Sequence, residues 1–348
     1  MTVEESHAQT PRYTQLRADA LRLDLAAAAP IEAPLSIYVE PTNVCNLKCS
    51  FCPESFPDYE EKTGGPSSLD LEAFGQVCDQ ILSLGRLRTL NLYMLGEPFA
   101  NRRLPEFIAL AKARGVADRV VVTSNGTLLN EAMAERVIAS GLDYLRISVY
   151  GTDQESFTRI TTSRIPFDRI HTQVRRLKEL RDAQGLSNPY IYVKMIDSGD
   201  AATNERFIAL FAPVCDQVAI EPVMNWDDPE EGTLSGRSRD ELLATPFFER
   251  RKEVCPFPFY SLVVHSDLTV SVCCVDWAKR TIVGNLRTET LEQVWRGDAL
   301  RRFRMMHLER RRHENPACSS CTFLHTAPDN LDALSPDEFA RREGAAVA

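Results

Sequence analysis

The sequence predicts an α/β fold: a partial (β/α)6 barrel followed by a small C-terminal α+β domain. Three observations lead there. From residue 35 to about 225, strand-like and helix-like stretches alternate, which implies a parallel sheet with right-handed crossovers. Polar segments, several bearing glycine, fall just after the strands, on the face where barrels of this kind place their sites. After residue 250 the alternation stops, and a hairpin pattern, a helix pattern and clustered cysteines replace it.

The elements follow in order. Residues 1–34 read as a lead-in with one helix, "TQLRADALRLDLA". "LSIYVEP" (35–41) reads as a buried strand and "LDLEAFGQVCDQILSL" (69–84) has helical period. "TLNLYMLGEP" (89–98) is a strand running into a loop, and "RLPEFIALAKARG" (103–115) a helix closed by Gly115. "RVVVTSNGT" (119–127), "YLRISVYG" (144–151), "YIYVKMID" (190–197) and "QVAIEPV" (217–223) complete six strands. Helices at 130–141, 167–185 and near 203–212 lie between them. Residues 226–250 read as a linker rich in acid, Gly, Pro and Ser. Residues 251–325 carry a hairpin turning at Ser266–Asp267 and one helix over 290–313. The arginines of that helix (Arg301, Arg302, Arg304, Arg310, Arg311, Arg312) read as a solvated face, and 326–348 as a polar, Ala-rich tail.

Composition narrows the function. The 348 residues are 44% hydrophobic and 26% charged, with a formal net charge of −9. An acidic chain lacks the basic face that nucleic acid requires. No run approaches the roughly 18 apolar residues of a membrane span, and Glu4 and Glu5 stand where a signal peptide would be basic. A cytoplasmic location is the expectation, and thiols stay reduced there. Ten cysteines in such a chain point to metal or redox chemistry.

Three of them, Cys45, Cys49 and Cys52, crowd into "CNLKCSFC", in the loop after the first strand. A structural zinc takes four protein ligands, and a 4Fe–4S cluster has four iron corners. Three thiolates leave one position open, and an open position is where a substrate or cofactor binds. Thiolate ligands select zinc, copper(I) or iron–sulfur; no His lies nearby to complete a zinc site. Cys255, Cys273, Cys318 and Cys321 form a second, four-thiolate set, suited to structural zinc or to a closed iron–sulfur cluster. Cys78 and Cys215 stand alone in apolar stretches and read as buried small hydrophobes.

The Cys-x3-Cys-x2-Cys spacing in "EPTNVCNLKCSFC" closely resembles the radical S-adenosylmethionine (radical SAM) enzymes. The resemblance implies a 4Fe–4S cluster whose open iron is chelated by SAM. SAM cleavage then gives a 5′-deoxyadenosyl radical that abstracts hydrogen from carbon. "LGEP" (95–98) is similar to the family's Gly-Gly-Glu motif, which holds the SAM amino group, with Leu95 for the first glycine and Gly96 and Glu97 kept. "TSNG" is similar to the ribose-contacting segment, which makes Ser124 and Asn125 candidates. "ISVYGTDQESFTRI" resembles the Ser-x-Asp-Gly segment through Ser148 and Gly151. Tyr150 stands where Asp is usual and Thr161 where Arg is frequent, so Arg164 is the stand-in for that arginine.

The text around the late cysteines, "VVHSDLTVSVCCVDWAKRTIVGN…PACSSC", resembles the auxiliary-cluster domain called twitch, the short form of SPASM. That implies a second 4Fe–4S cluster, held by Cys273 in preference to Cys274. Full SPASM domains hold two auxiliary clusters and need about seven cysteines, more than this region has. The 34 residues before the barrel are fewer than a leader-peptide-binding domain needs. Both points direct the expectation to a small molecule. The spacing is most like twitch enzymes that oxidise a hydroxyl of a sugar or aminocyclitol in antibiotic biosynthesis. The auxiliary cluster would accept one electron, and an external donor such as flavodoxin or ferredoxin would supply the first cluster. Tyr93, Lys194 and Glu221 are candidates for the base near the hydroxyl. Epimerase, decarboxylase, peptide maturase and a zinc-stabilised binding protein are the rival readings.

Overall fold

The computed structural model describes residues 23–221 and 252–347. Most of the lead-in helix and the whole linker expected at 226–250 lie outside the described residues. Nine strands form one sheet in the order β6-β5-β4-β3-β2-β1-β7-β8-β9. The first six are β1 (Ser36–Val39), β2 (Leu87–Asn91), β3 (Ala117–Ser124), β4 (Tyr144–Ser148), β5 (Tyr190–Ile196) and β6 (Gln217–Glu221), all parallel to their neighbours. This is the expected partial barrel. Helix α1 (Leu25–Ala28) precedes β1; α2 (Tyr59–Thr63) and α3 (Leu71–Leu84) follow it. The other crossovers are α4 (Leu104–Arg114), α5 (Glu131–Ala139), α6 (Gln154–Thr161) with α7 (Phe167–Ala183), and α8 (Ala201–Phe211).

Local chemistry fixes these helix starts. Asp70, Asn130 and Asp200 each accept a hydrogen bond from a backbone N–H in the first turn of α3, α5 and α8. Asp153 opens α6 with a reciprocal capping box through Ser156. That short helix was not expected from the sequence, where its polar residues read as loop. One face of the sheet packs Ile37, Leu90, Val120, Leu145, Val193 and their neighbours against the helices as the main core. The alternate residues point into the barrel.

Four expectations for the C-terminal part are corrected. Its strands β7 (Ser261–Val264), β8 (Thr269–Ser271) and β9 (Ile282–Asn285) do not form a separate sheet; β7 pairs parallel with β1, from Ser36↔Ser261 to Val39↔Val264. The β7–β8 hairpin does turn around Ser266 and Asp267. After α9 (Phe257–Tyr260), the helix expected over 290–313 is two helices, α10 (Leu291–Arg296) and α11 (Asp298–Leu308). They break at Gly297, whose extended backbone leaves the helix and where a Cβ would lie 2.4 Å from the Gln293 carbonyl oxygen. The arginines are not one solvated face: Arg304 is buried, donates to the Pro258 carbonyl at 2.9 Å and lies 4.2 Å from the Trp295 ring. Arg312 turns inward, as described below. After α12 (Pro316–Ser319), the tail ends in α13 (Pro336–Val347). Its Phe339 is fully buried with Leu25, Val254, Phe259 and Leu334, so the two ends of the described chain share a core. Among the described residues no helix is long and apolar enough to cross a membrane.

Candidate functional site

The loop after β1 carries Cys45, Cys49 and Cys52 to the C-terminal end of the strands. Its shape is set by its neighbours. Gly96 has φ +68°, and a Cβ there would lie 2.6 Å from the Thr42 carbonyl oxygen and 2.8 Å from that of Val44. Only glycine permits both that conformation and that approach. The Glu97 N–H donates to the Val44 carbonyl at 3.0 Å, pinning the start of the cysteine loop to the loop after β2. On the far side, the N–H groups of Lys48 and Ser50 donate to Thr161 and Ile160 at the end of α6. Thr161, where the family often has Arg, therefore braces the loop through its backbone.

Glu97 is 1% exposed. Its carboxylate accepts from Ser124 Oγ at 2.7 Å, the Asn125 N–H at 2.7 Å and the Phe99 N–H at 3.1 Å. One carboxylate thus joins the motif after β2 to the motif after β3. Burial pushes Glu97 up to about 7, against the pull of those three donors. Asn125 Nδ2 lies 3.0 Å from Asn46 Oδ1 and 3.9 Å from Cys45 Sγ. Ser148, at the end of β4, is buried and stands opposite Lys194 on β5. Tyr150, in place of the usual Asp, packs edge-on against Phe51 of the cysteine loop at 4.7 Å. Arg164 is exposed, just beyond the segment that braces the loop.

The barrel interior is polar. Strand register puts Arg146 beside Tyr192 and Ser148 beside Lys194. Glu221, at the end of β6, takes an ion pair from Arg146, a second from Lys194 at 3.2 Å and a hydrogen bond from the Tyr192 hydroxyl at 2.8 Å. Burial alone would raise the Glu221 carboxyl, but Arg146 and Lys194 outweigh it and hold the group near 2. Burial lowers Lys194, although Glu221 opposes the shift. Tyr93 stands on the other side of the barrel, edge-on to Tyr38 at 5.5 Å. The structure thus gathers Lys194 and Glu221 and adds Arg146 and Tyr192, which sequence reasoning missed. The signal was available: each lies two residues before a named strand residue, on the same face.

The second set of cysteines also converges. Cys255, Cys273, Cys318 and Cys321 line one partly enclosed space of about 420 Å³, with Phe257, Phe323, His307 and Arg312 among its other walls. Cys274 turns aside to pack with Phe257, Phe323 and Ala327. Arg312 donates to the carbonyls of Cys318 and Cys321, anchoring the segment that carries both.

Both donor sets fit iron–sulfur ligation. Three thiols share one loop beside an open barrel mouth, and four thiols surround one cavity. Among the described residues no three His, Cys, Asp or Glu side chains meet at a single-ion site; the four thiols are spread round a wider space. Burial is the main cause that pushes the Cys45, Cys52 and Cys255 thiols up to about 12, and Cys49, Cys273 and Cys318 move the same way. Buried thiols of this kind give up their protons on metal binding.

Comparison with known proteins accords with this geometry. Residues 39–193 match the radical SAM superfamily, and residues 255–322 match the SPASM family, an iron–sulfur cluster-binding domain. The PqqA peptide cyclase of Granulibacter bethesdensis is 34% identical over 130 residues, 37% of this chain and 33% of that protein. The GTP 3′,8-cyclase of Chlorobaculum tepidum is 28% identical over 159 residues, 46% of this chain and 43% of that protein. The chain thus spans less than half the length of these curated relatives. Among solved structures, BtrN in complex with AdoMet and 2-DOIA aligns with a TM-score of 0.54 and 18% identity, covering 87% of this chain and 97% of that one. Streptococcus suis SuiB bound to precursor peptide SuiA aligns with a TM-score of 0.64 and 12% identity, covering 88% and 73%. At these identities the likeness is one of fold. A radical SAM domain implies a 4Fe–4S cluster and SAM, and a SPASM domain implies additional iron–sulfur clusters. The chain carries a radical SAM domain followed by an iron–sulfur cluster-binding SPASM domain.

Proposed function

We propose that this radical SAM enzyme oxidises a secondary alcohol of a sugar or aminocyclitol to a ketone. In this reading Cys45, Cys49 and Cys52 hold the SAM-binding cluster, and Cys255, Cys273, Cys318 and Cys321 hold one auxiliary cluster. The observation that carries it is the pairing of an open three-thiol loop at the barrel mouth with one four-thiol cavity. When bound, the first cluster with SAM supplies a hydrogen-abstracting radical, and the second accepts an electron. The alcohol loses a hydrogen atom from carbon, a proton from oxygen and one electron, and the ketone remains.

The chain's own residues divide the remaining work. Gly96, Glu97, Ser124, Asn125 and Ser148 shape the SAM side of the mouth, with Arg164 at its rim. Lys194 is the better proton acceptor, because burial favours its neutral amine. Glu221, held ionised near 2, is a poor base and instead orients Lys194, Arg146 and Tyr192. Tyr93 lines the opposite wall.

The epimerase rival needs a thiol facing the substrate. Cys78 is fully buried in the core face of α3, and Cys215 Sγ donates to the Phe211 carbonyl at 3.0 Å outside the barrel. Neither reaches the interior. A peptide substrate is the second reading, favoured by the fold likeness to peptide-bound SuiB. The test incubates anaerobic enzyme with SAM, reductant, and aminocyclitols deuterated at each carbinol carbon. A ketone with one deuterium transferred to 5′-deoxyadenosine supports the proposal. Product of unchanged mass with a solvent hydrogen at that carbon, loss of carbon dioxide, or turnover of peptides alone would each replace it.

A further inference from the structure

One polar side chain in the auxiliary cavity has no role in the reading so far. His307, on α11, is 1% exposed and lines the space together with the four cysteines. Neither of its ring nitrogens has a hydrogen-bond partner among the described residues. Its ring packs beside Phe303 at 5.1 Å. Other polar groups of the same wall are satisfied. Asp276 accepts from the N–H groups of Arg280 and Thr281 and from the Thr281 hydroxyl. Arg312 is spent on the carbonyls of Cys318 and Cys321. A buried imidazole that meets no partner forfeits the hydrogen bonds it would make in water. Leu or Phe would fill the same volume without that penalty.

The orphaned ring faces a space bounded by sulfur. Burial, with Arg312 adding to it, pushes the imidazole down to about 3, so the ring is neutral and carries one N–H. Sulfurs of a bound cluster and of its thiolate ligands are acceptors, and they would satisfy that donor where the protein does not. Resting on the cluster reading of this cavity, we propose that His307 is a positioning residue that donates its ring N–H to a sulfur of the auxiliary cluster or of a cysteine ligand. The bond stabilises the more negative, reduced state, so it raises the reduction potential and makes the site a better electron acceptor.

The test uses full-length, anaerobically purified protein with His307→Leu and His307→Gln. Iron, sulfide and zinc are counted first. The auxiliary midpoint is then read by redox titration followed by electron paramagnetic resonance, and exchangeable-deuteron coupling is read in D2O. The expected result is unchanged iron in both variants and a midpoint shifted negative in His307→Leu. The midpoint should be largely restored in His307→Gln, which keeps an N–H. A deuteron coupling should be present in the wild type and lost in His307→Leu. An unchanged midpoint and coupling in His307→Leu overturns the proposal, as does a nitrogen bonded directly to iron in the wild type. Should His307→Leu fail to load its cluster, the wild-type deuteron coupling decides: its presence supports the bond and its absence overturns it. Zinc in place of a second cluster in the wild type would overturn both this inference and the cluster reading, and the metal count separates that outcome from the others.

Discussion

The two cysteine sites are built in opposite ways. The first takes all its thiols from one loop and borrows its surroundings: Gly96 and Glu97 from the end of β2, Asn125 from β3, Tyr150 from β4 and Thr161 from α6. The second takes its thiols from before α9, after β8, within α12 and beyond it, and closes them in with apolar walls. A site completed by polar strand ends stays open to a cofactor; a site completed by its own ligands is shut. An aromatic stack joins the two, with Phe56 and Tyr59 beyond Cys52 lying 5.2 and 6.1 Å from the Trp277 ring.

The largest expected effect tests their independence. Changing Cys45, Cys49 and Cys52 together to Ala should abolish SAM cleavage and leave a folded protein with one cluster, as read by 5′-deoxyadenosine release and iron content. Residual cleavage by that variant would break the distinction between the sites. Replacing Cys321 with Ala should remove the auxiliary cluster and net substrate oxidation while the first cluster stays. It should also lower the melting temperature, because metal binding is folding free energy in such a site. A variant that keeps both clusters would show that Cys321 is no ligand.

The same contrast explains how much was legible beforehand. The barrel strands and most crossover helices could be read from periodicity, and the first site from one eight-residue spacing, because both are local. The second site was legible only as a set of residue types; its cavity depends on β7 joining β1, a pairing across more than two hundred residues that no local pattern carries. Arg304 and Arg312 were misread as solvated because burial of an arginine is decided by distant partners, here the Pro258 and Cys318 carbonyls and the Trp295 ring. His307 gave no signal, since its place in the cavity comes from the break at Gly297 and the angle of α11.

A smaller effect concerns the link between the sites. Trp277 is 3% exposed and stacked on both Phe56 and Tyr59. Trp277→Ala should cost about 3–5 kcal/mol in global stability, the range for a large aromatic removed from a core. Denaturant unfolding of the loaded protein would measure it. A cost below about 1 kcal/mol would mean that the stack merely fills space between two units that hold themselves.

The smallest effect is a slope. Glu97 ties two strand ends at the open site, and burial raises it to about 7. A carboxyl whose folded value lies above its unfolded one binds its proton more tightly when folded. Its contribution to stability is therefore fully present below the ordinary value of about 4.5 and is lost as pH rises through about 7. Glu97→Gln cannot ionise, so the melting temperature of cluster-free protein should fall less between pH 5 and 8 than it does in the wild type, roughly 3 kcal/mol being the ceiling on the difference. The amide also brings an N–H₂ up to the Asn125 N–H, where the carboxylate accepted at 2.7 Å. That leaves a buried donor unmatched, so SAM binding should weaken while the auxiliary cluster loads as before. Parallel pH curves for the two proteins would show that Glu97 stays ionised when folded, held by its three donors against its burial.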